Sequence, residues 1–221
     1  MLCLEKKLSR LINSTTGERG VLRFLAKHPK IVYWAFYQPA GHGTYVVKEF
    51  PFGSHYKADF VVPMAYSGIW EVHMIELEPP NDRVINKDGT PSHRFNKAVS
   101  QIHDWASYVA ENLYSFRKDL SDWCMKHDLL GLPGSSGPPC NFTGNYLKDS
   151  DMHIWFYYYI VIGRRELIKE EQRRKMNQIM HGNHNLKVYT YGRLLDVAKN
   201  LDKREANPKD PVRLEDTEED A

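Results

Sequence analysis

Two glutamates separated by a single residue, Glu76 and Glu78, lie in a stretch whose side chains alternate in character, WEVHMIELE. Period-2 alternation sets Val72, Met74, Glu76 and Glu78 on one face of a strand and Glu71, His73, Ile75 and Leu77 on the other. Two carboxylates on one partly apolar face repel unless a proton or a cation lies between them, so the pair is a candidate hard-metal site. Asp59 starts the apolar run of the preceding strand candidate and falls beside the pair if the two strands form a hairpin. Glu18 shares a helical face with Leu22 and Leu25, which turns it toward the sheet; the other reading of Glu18 is a helix cap. Such oxygen donors suit Mg2+ or Mn2+. Arg164 and Arg165 follow an apolar strand and precede a basic helix, where planar donors meet phosphates. The other reading of Arg164, Arg165 and the basic residues after them is a solvated face or an oligomer contact.

The elements that position these residues can be read from pattern. Thr15-Thr16-Gly17-Glu18 is a capping box, so a helix should run from Thr15 to about His28-Pro29. Three strands are expected at 44–50, 58–65 and 71–78 as an antiparallel meander. Thr90-Pro91 should open a long helix, with Phe95, Ala98, Val99, Ile102, Trp105, Ala106 and Val109 on one stripe. The run Ile154–Ile162 reads as a strand buried on both faces. A basic helix at 167–180, a strand at 186–190 and a helix at 193–201 complete the order α-β-β-β-α-β-α-β-α. The turn-rich GLPGSSGPPC at 131–140 marks a loop insertion reaching about residue 150. The expected division is a segment at 1–14, a domain at 15–201 and an acidic tail at 202–221. His181-Gly182-Asn183-His184 reads as a helix end closed by Gly182, with zinc disfavoured.

Composition narrows the class. With 221 residues, 42% of them hydrophobic, the chain can bury a core, which excludes a disordered or low-complexity scaffold. The longest apolar run, Ile154–Ile162, falls well short of the roughly 20 residues of a spanning helix. MLCLEKKLSRL lacks the apolar stretch of a secretory signal, and three cysteines without a C-x-x-C pair suggest a reducing compartment, so a cytoplasmic location is expected. The formal net charge is +2, but five acids in the last seven residues leave +7 on the remainder, a body suited to a polyanion.

The order of elements, with Asp59 on the second strand and Glu76-Leu77-Glu78 on the third, resembles the PD-(D/E)xK nuclease superfamily. Further segments sharpen it: KADFVV at 57–62, IELEPP at 75–80, AVSQIHDW at 98–105, YIVIGRR at 159–165 and VYTY at 188–191 before a Leu-Leu helix. Together these look like the catalytic domain of the Shedu anti-phage defence nucleases, over about residues 15 to 200. The resemblance implies an α/β restriction-endonuclease-like fold, a mixed central sheet flanked by helices. It implies a DNA endonuclease dependent on Mg2+ or Mn2+, acting as a homo-oligomer in the cytoplasm, with room for a sensing or regulatory partner.

It also assigns roles. Asp59 and Glu76 bind the metal with help from the Leu77 carbonyl, and Glu18 supports that shell. Gln101 and Trp105 form Q-x-x-x-W, similar to a Q-x-x-x-Y element of RecB-like nucleases in which the glutamine lies beside the metal. The other readings are a surface amide for Gln101 and core packing for Trp105. Two positions depart from the superfamily pattern: its proline is Ala58 and its lysine is Glu78. A glutamate can accept a proton or bind a second metal but brings no positive charge. Lys97, on the helix where the lysine lies in some relatives, is the candidate to restore it and to meet DNA phosphate. Two functions therefore stay open: an endonuclease with Glu78 as base or ligand, or a nuclease-fold module that binds DNA or assembles without cutting.

Overall fold

A computed structural model describes residues 3–14, 17–36, 43–131, 137–181 and 185–206. Three helices come first, α1 (Leu4–Ile12), α2 (Gly17–Lys27) and α3 (Pro29–Phe36). They precede β1 (Val47–Phe52), β2 (Tyr56–Ala65) and β3 (Ile69–Leu77). Helices α4 (His93–Glu111) and α5 (Leu113–His127) lead to β4 (His153–Val161), and α6 (Glu170–His181), β5 (Leu186–Tyr189) and α7 (Tyr191–Ala206) follow. Among the described residues, no helix is long and apolar enough to cross a membrane.

The five strands form one sheet in the order β1-β2-β3-β4-β5. The first three pair antiparallel, and β4 joins β3 and β5 in parallel, so the sheet is mixed and flanked by helices as expected. Alternation divides its side chains between two cores. Val61, Val72, Met74, Tyr158 and Ile160 face Phe95, Ile102 and Trp105 of α4 and Phe116 and Leu120 of α5. Phe60, Ile75, Leu77, Tyr159 and Val161 face Leu8, Val21, Ile31, Tyr191 and Leu194 of the other helices. From Tyr158 on, neighbouring residues of β4 belong to opposite cores, as expected of a strand buried on both faces, but the first half is not so covered and Trp155 is 47% exposed.

Several boundaries differ from the sequence pattern. Helix α3 starts with Pro29 at its first position, directly after α2, where its missing N–H costs nothing. The apolar IVYWAF that follows has no polar positions to show a period. Helix α1 and the whole of α5 were likewise not expected as helices; α5 buries Phe116, Leu120 and Cys124 against the sheet. The capping residue of α4 is Ser92 and not Thr90: the Phe95 N–H donates to Ser92 Oγ at 3.1 Å. Thr90 instead closes a turn on Asp88, to which its N–H and hydroxyl both donate. Ser92→Ala should cost about 1 kcal/mol in urea unfolding, the usual worth of such a cap. The expected capping pair Thr15-Thr16, residues 132–136, Gly182 and the acidic tail beyond residue 206 lie outside the described residues.

Candidate active site

The antiparallel register of β2 and β3 pairs Phe60 with Ile75 and Val61 with Met74, and one step further it sets Asp59 opposite Glu76. By alternation both side chains lie on the face covered by α4. The Leu77 N–H donates to Asp59 Oδ2 at 2.8 Å, fixing the aspartate against the end of β3. Glu78 follows the strand, with its N–H bonded to the Val161 carbonyl at 2.8 Å. These acids thus meet at the carboxyl ends of the parallel pair β3 and β4, the end at which open α/β sheets bind ligands.

Three helices close the site. From α4, Gln101 hydrogen-bonds Glu76, and seven residues earlier on the same helix face Arg94 donates through Nε to Glu78. Arg94 also lies 3.9 Å from Asp82. At the start of α7, the fully buried Tyr191 donates its hydroxyl to the Glu78 carbonyl at 2.7 Å. Its hydroxyl is pushed well above its ordinary pKa by burial, then by the charges of Asp59, Glu18, Glu78 and Glu76. All four acids therefore act on one buried phenol, Glu18 doing so from the first turn of α2.

Electrostatics show what the arrangement lacks. Burial, opposed by the Leu77 N–H and reinforced by Glu18, raises Asp59 to about 6. Burial, followed by the charges of Asp59 and Glu78, raises Glu76 to about 9 even though Gln101 and Arg94 favour its anion. Glu78 is also raised by burial, against the pull of Arg94. Carboxyls held so high are short of positive charge, and a hard divalent cation would supply it. No three of Glu18, Asp59, Glu76 and Glu78 bring oxygens within 4.8 Å of one another. A cation here would take two facing carboxylates and a carbonyl, not a closed cage of acids. Cys3, Glu5 and Asp202 do approach that closely, but Asp202 already accepts the Leu4 and Glu5 N–H groups as a cap supplied by α7 to α1.

The remaining sequence candidates fall elsewhere. Lys97 is exposed on α4, and among the described residues no hydrogen bond or ion pair joins it to the four acids. Trp105 is fully buried in the core beneath α4, edge-on to Phe52. Arg164 is half-buried and donates to Asn13, while Arg165 pairs with Asp196 at 2.8 Å; both are engaged within the chain. Arg94 and Tyr191 were not candidates from sequence. The seven-residue spacing of Arg94 and Gln101 carried a signal for the first; no local pattern marks the second.

Residues 15–195 match the family model described as Shedu protein SduA, C-terminal. No curated protein matches the chain. With most of its length inside that match, the chain belongs to the Shedu family, in the region described as SduA, C-terminal.

Proposed function

We propose that this chain is a metal-dependent DNA endonuclease of the PD-(D/E)xK type, acting in the anti-phage defence that Shedu membership suggests. The observation that carries the reading is the β2–β3 register, which brings Asp59 and Glu76 face to face on the α4 side of the strand ends. Asp59, Glu76 and the Leu77 carbonyl are the groups that would hold Mg2+ or Mn2+, with Glu18, whose charge acts on Asp59, supporting them. When bound, the cation neutralises nonbridging phosphate oxygens and lowers the pKa of the attacking water. Gln101 holds the Glu76 carboxylate in place through its side-chain amide. The Asp59 carboxylate is kept in line by the Leu77 N–H. Water adds to phosphorus and its proton passes to one of the carboxylates, while the P–O bond to the leaving oxygen breaks and that oxygen takes up a proton from solvent.

Supercoiled plasmid incubated with the purified chain should be nicked or linearised with Mg2+ or Mn2+ and left intact in EDTA. Asp59→Ala should lower cutting to background while the protein still melts cooperatively. Equal scission by the parent and Asp59→Ala would remove the assignment. Plasmid binding without scission would favour a DNA-binding module that does not cut.

A further inference from the structure

We infer that Arg94, held in place by Glu78, is the cation that contacts the scissile phosphate; this rests on the nuclease reading. Glu78 occupies the position where a lysine would bring a charge to the metal-holding acids. Its side chain is only 5% exposed and accepts a hydrogen bond from Arg94 Nε. A buried carboxylate persists only with a partner, so the glutamate and the arginine act as one unit. Asp82, 3.9 Å from the same Nε, adds a second negative charge beside the guanidinium.

What this leaves free points to the ligand. Bonded through Nε, Arg94 makes no hydrogen bond through its two Nη groups among the described residues, and its side chain remains 40% exposed. A planar guanidinium with one group anchored and the others open matches the nonbridging oxygens of a phosphodiester. The same arginine acts electrostatically on Glu76, so the charge sits within reach of the acids that would hold the cation. Since a guanidinium does not give up its proton, Arg94 neutralises charge but accepts no proton from water. The arginine therefore takes over the lysine's electrostatic role, and proton acceptance falls to a carboxylate. Glu78 becomes a positioning residue.

Three variants test this, with plasmid scission in Mg2+ and with binding of a short DNA duplex in EDTA over a range of salt. Arg94→Ala should cut on the order of a hundredfold more slowly, the loss typical of one preorganised donor. Its plot of log affinity against log salt should be shallower by about 0.9, the loss of one phosphate contact. Arg94→Lys should keep the parental salt slope and recover part of the cutting, which separates the charge from any structural role of the side chain. The double variant Glu78→Lys/Arg94→Ala should cut at least several times faster than Arg94→Ala, because it refills the lysine position. Parental scission and salt slope in Arg94→Ala, or a double variant no faster than Arg94→Ala, would overturn the inference while leaving the nuclease reading intact. A parent that binds the duplex but does not cut would remove that reading; an unchanged salt slope in Arg94→Ala would then overturn the phosphate contact as well.

Discussion

In metal-free buffer the chain should lose stability as pH rises from about 5 toward 9, and Glu76→Gln should flatten most of that loss. Glu76 is held at about 9 in the folded chain, against an ordinary carboxyl value of 4.5. The folded state therefore binds a proton that the unfolded state releases throughout this window. For an acid raised on folding, the contribution is fully present below the unfolded value and is lost as pH passes the folded one. Asp59, raised from 3.8 to about 6, adds a smaller loss at the acid end of the same range. The Gln101 bond and the Arg94 charge act against the shift but do not cancel the burial. Glu76→Gln keeps the shape and removes the charge, so at about pH 8 the metal-free variant should melt several degrees above the parent. Mg2+ should raise the parent's melting temperature by binding the folded state alone, and should raise that of Glu76→Gln much less. Superimposable pH profiles of the two metal-free proteins would show that Glu76 is not held protonated.

The parts of this site visible in the sequence are those governed by short-range geometry. The period of two in WEVHMIELE puts Glu76 on the helix-covered face, and the Tyr66-Ser67-Gly68 turn makes β2 and β3 a hairpin, so Asp59 and Glu76 follow from local rules. Gln101 follows from the helical period of α4. Arg94 sits on that period too, but an arginine in the first turn of a helix ordinarily points to water. The buried Glu78 beneath it, with Asp82 nearby, turns it inward. Tyr191 reaches the Glu78 carbonyl because β4 and β5 run parallel to β3 and deliver the start of α7 to the same edge of the sheet. That is a property of topology, and no window of sequence around Tyr191 contains it. Helix α3 was hidden for a different reason: buried against α7 and the sheet, IVYWAF carries too few polar residues for a helical stripe to stand out.

Arg117→Ala should destabilise the fold by about 3 kcal/mol or more while scission per folded molecule stays at the parental level. Arg117 lies on α5 and is 4% exposed. Its two Nη groups donate to the carbonyls of Asp149 and Met152, in the turn that feeds β4. Burial lowers its pKa, and the nearby charges of Asp151 and Asp149 only partly offset this. The guanidinium therefore spends its charge on two backbone oxygens, of which the Asp149 carbonyl also accepts the Met152 N–H at 3.3 Å. Truncation removes the arginine donor from both carbonyls, leaving Asp149 only the Met152 N–H, and opens a cavity beside Phe116 and Leu120, and each change is costly in a close-packed interior. Arg117→Met fills the volume without donating, so it should recover the packing part of the loss and none of the hydrogen-bonding part. The arginine anchors the entry of β4 on the α5 side, whereas the acids meet at the opposite, carboxyl end of that strand. Stability and cutting should separate for this reason: a variant that unfolds at lower urea yet cuts normally in native buffer places the turn at 149–152 outside the reacting centre. A matching fall in scission would tie it to the site.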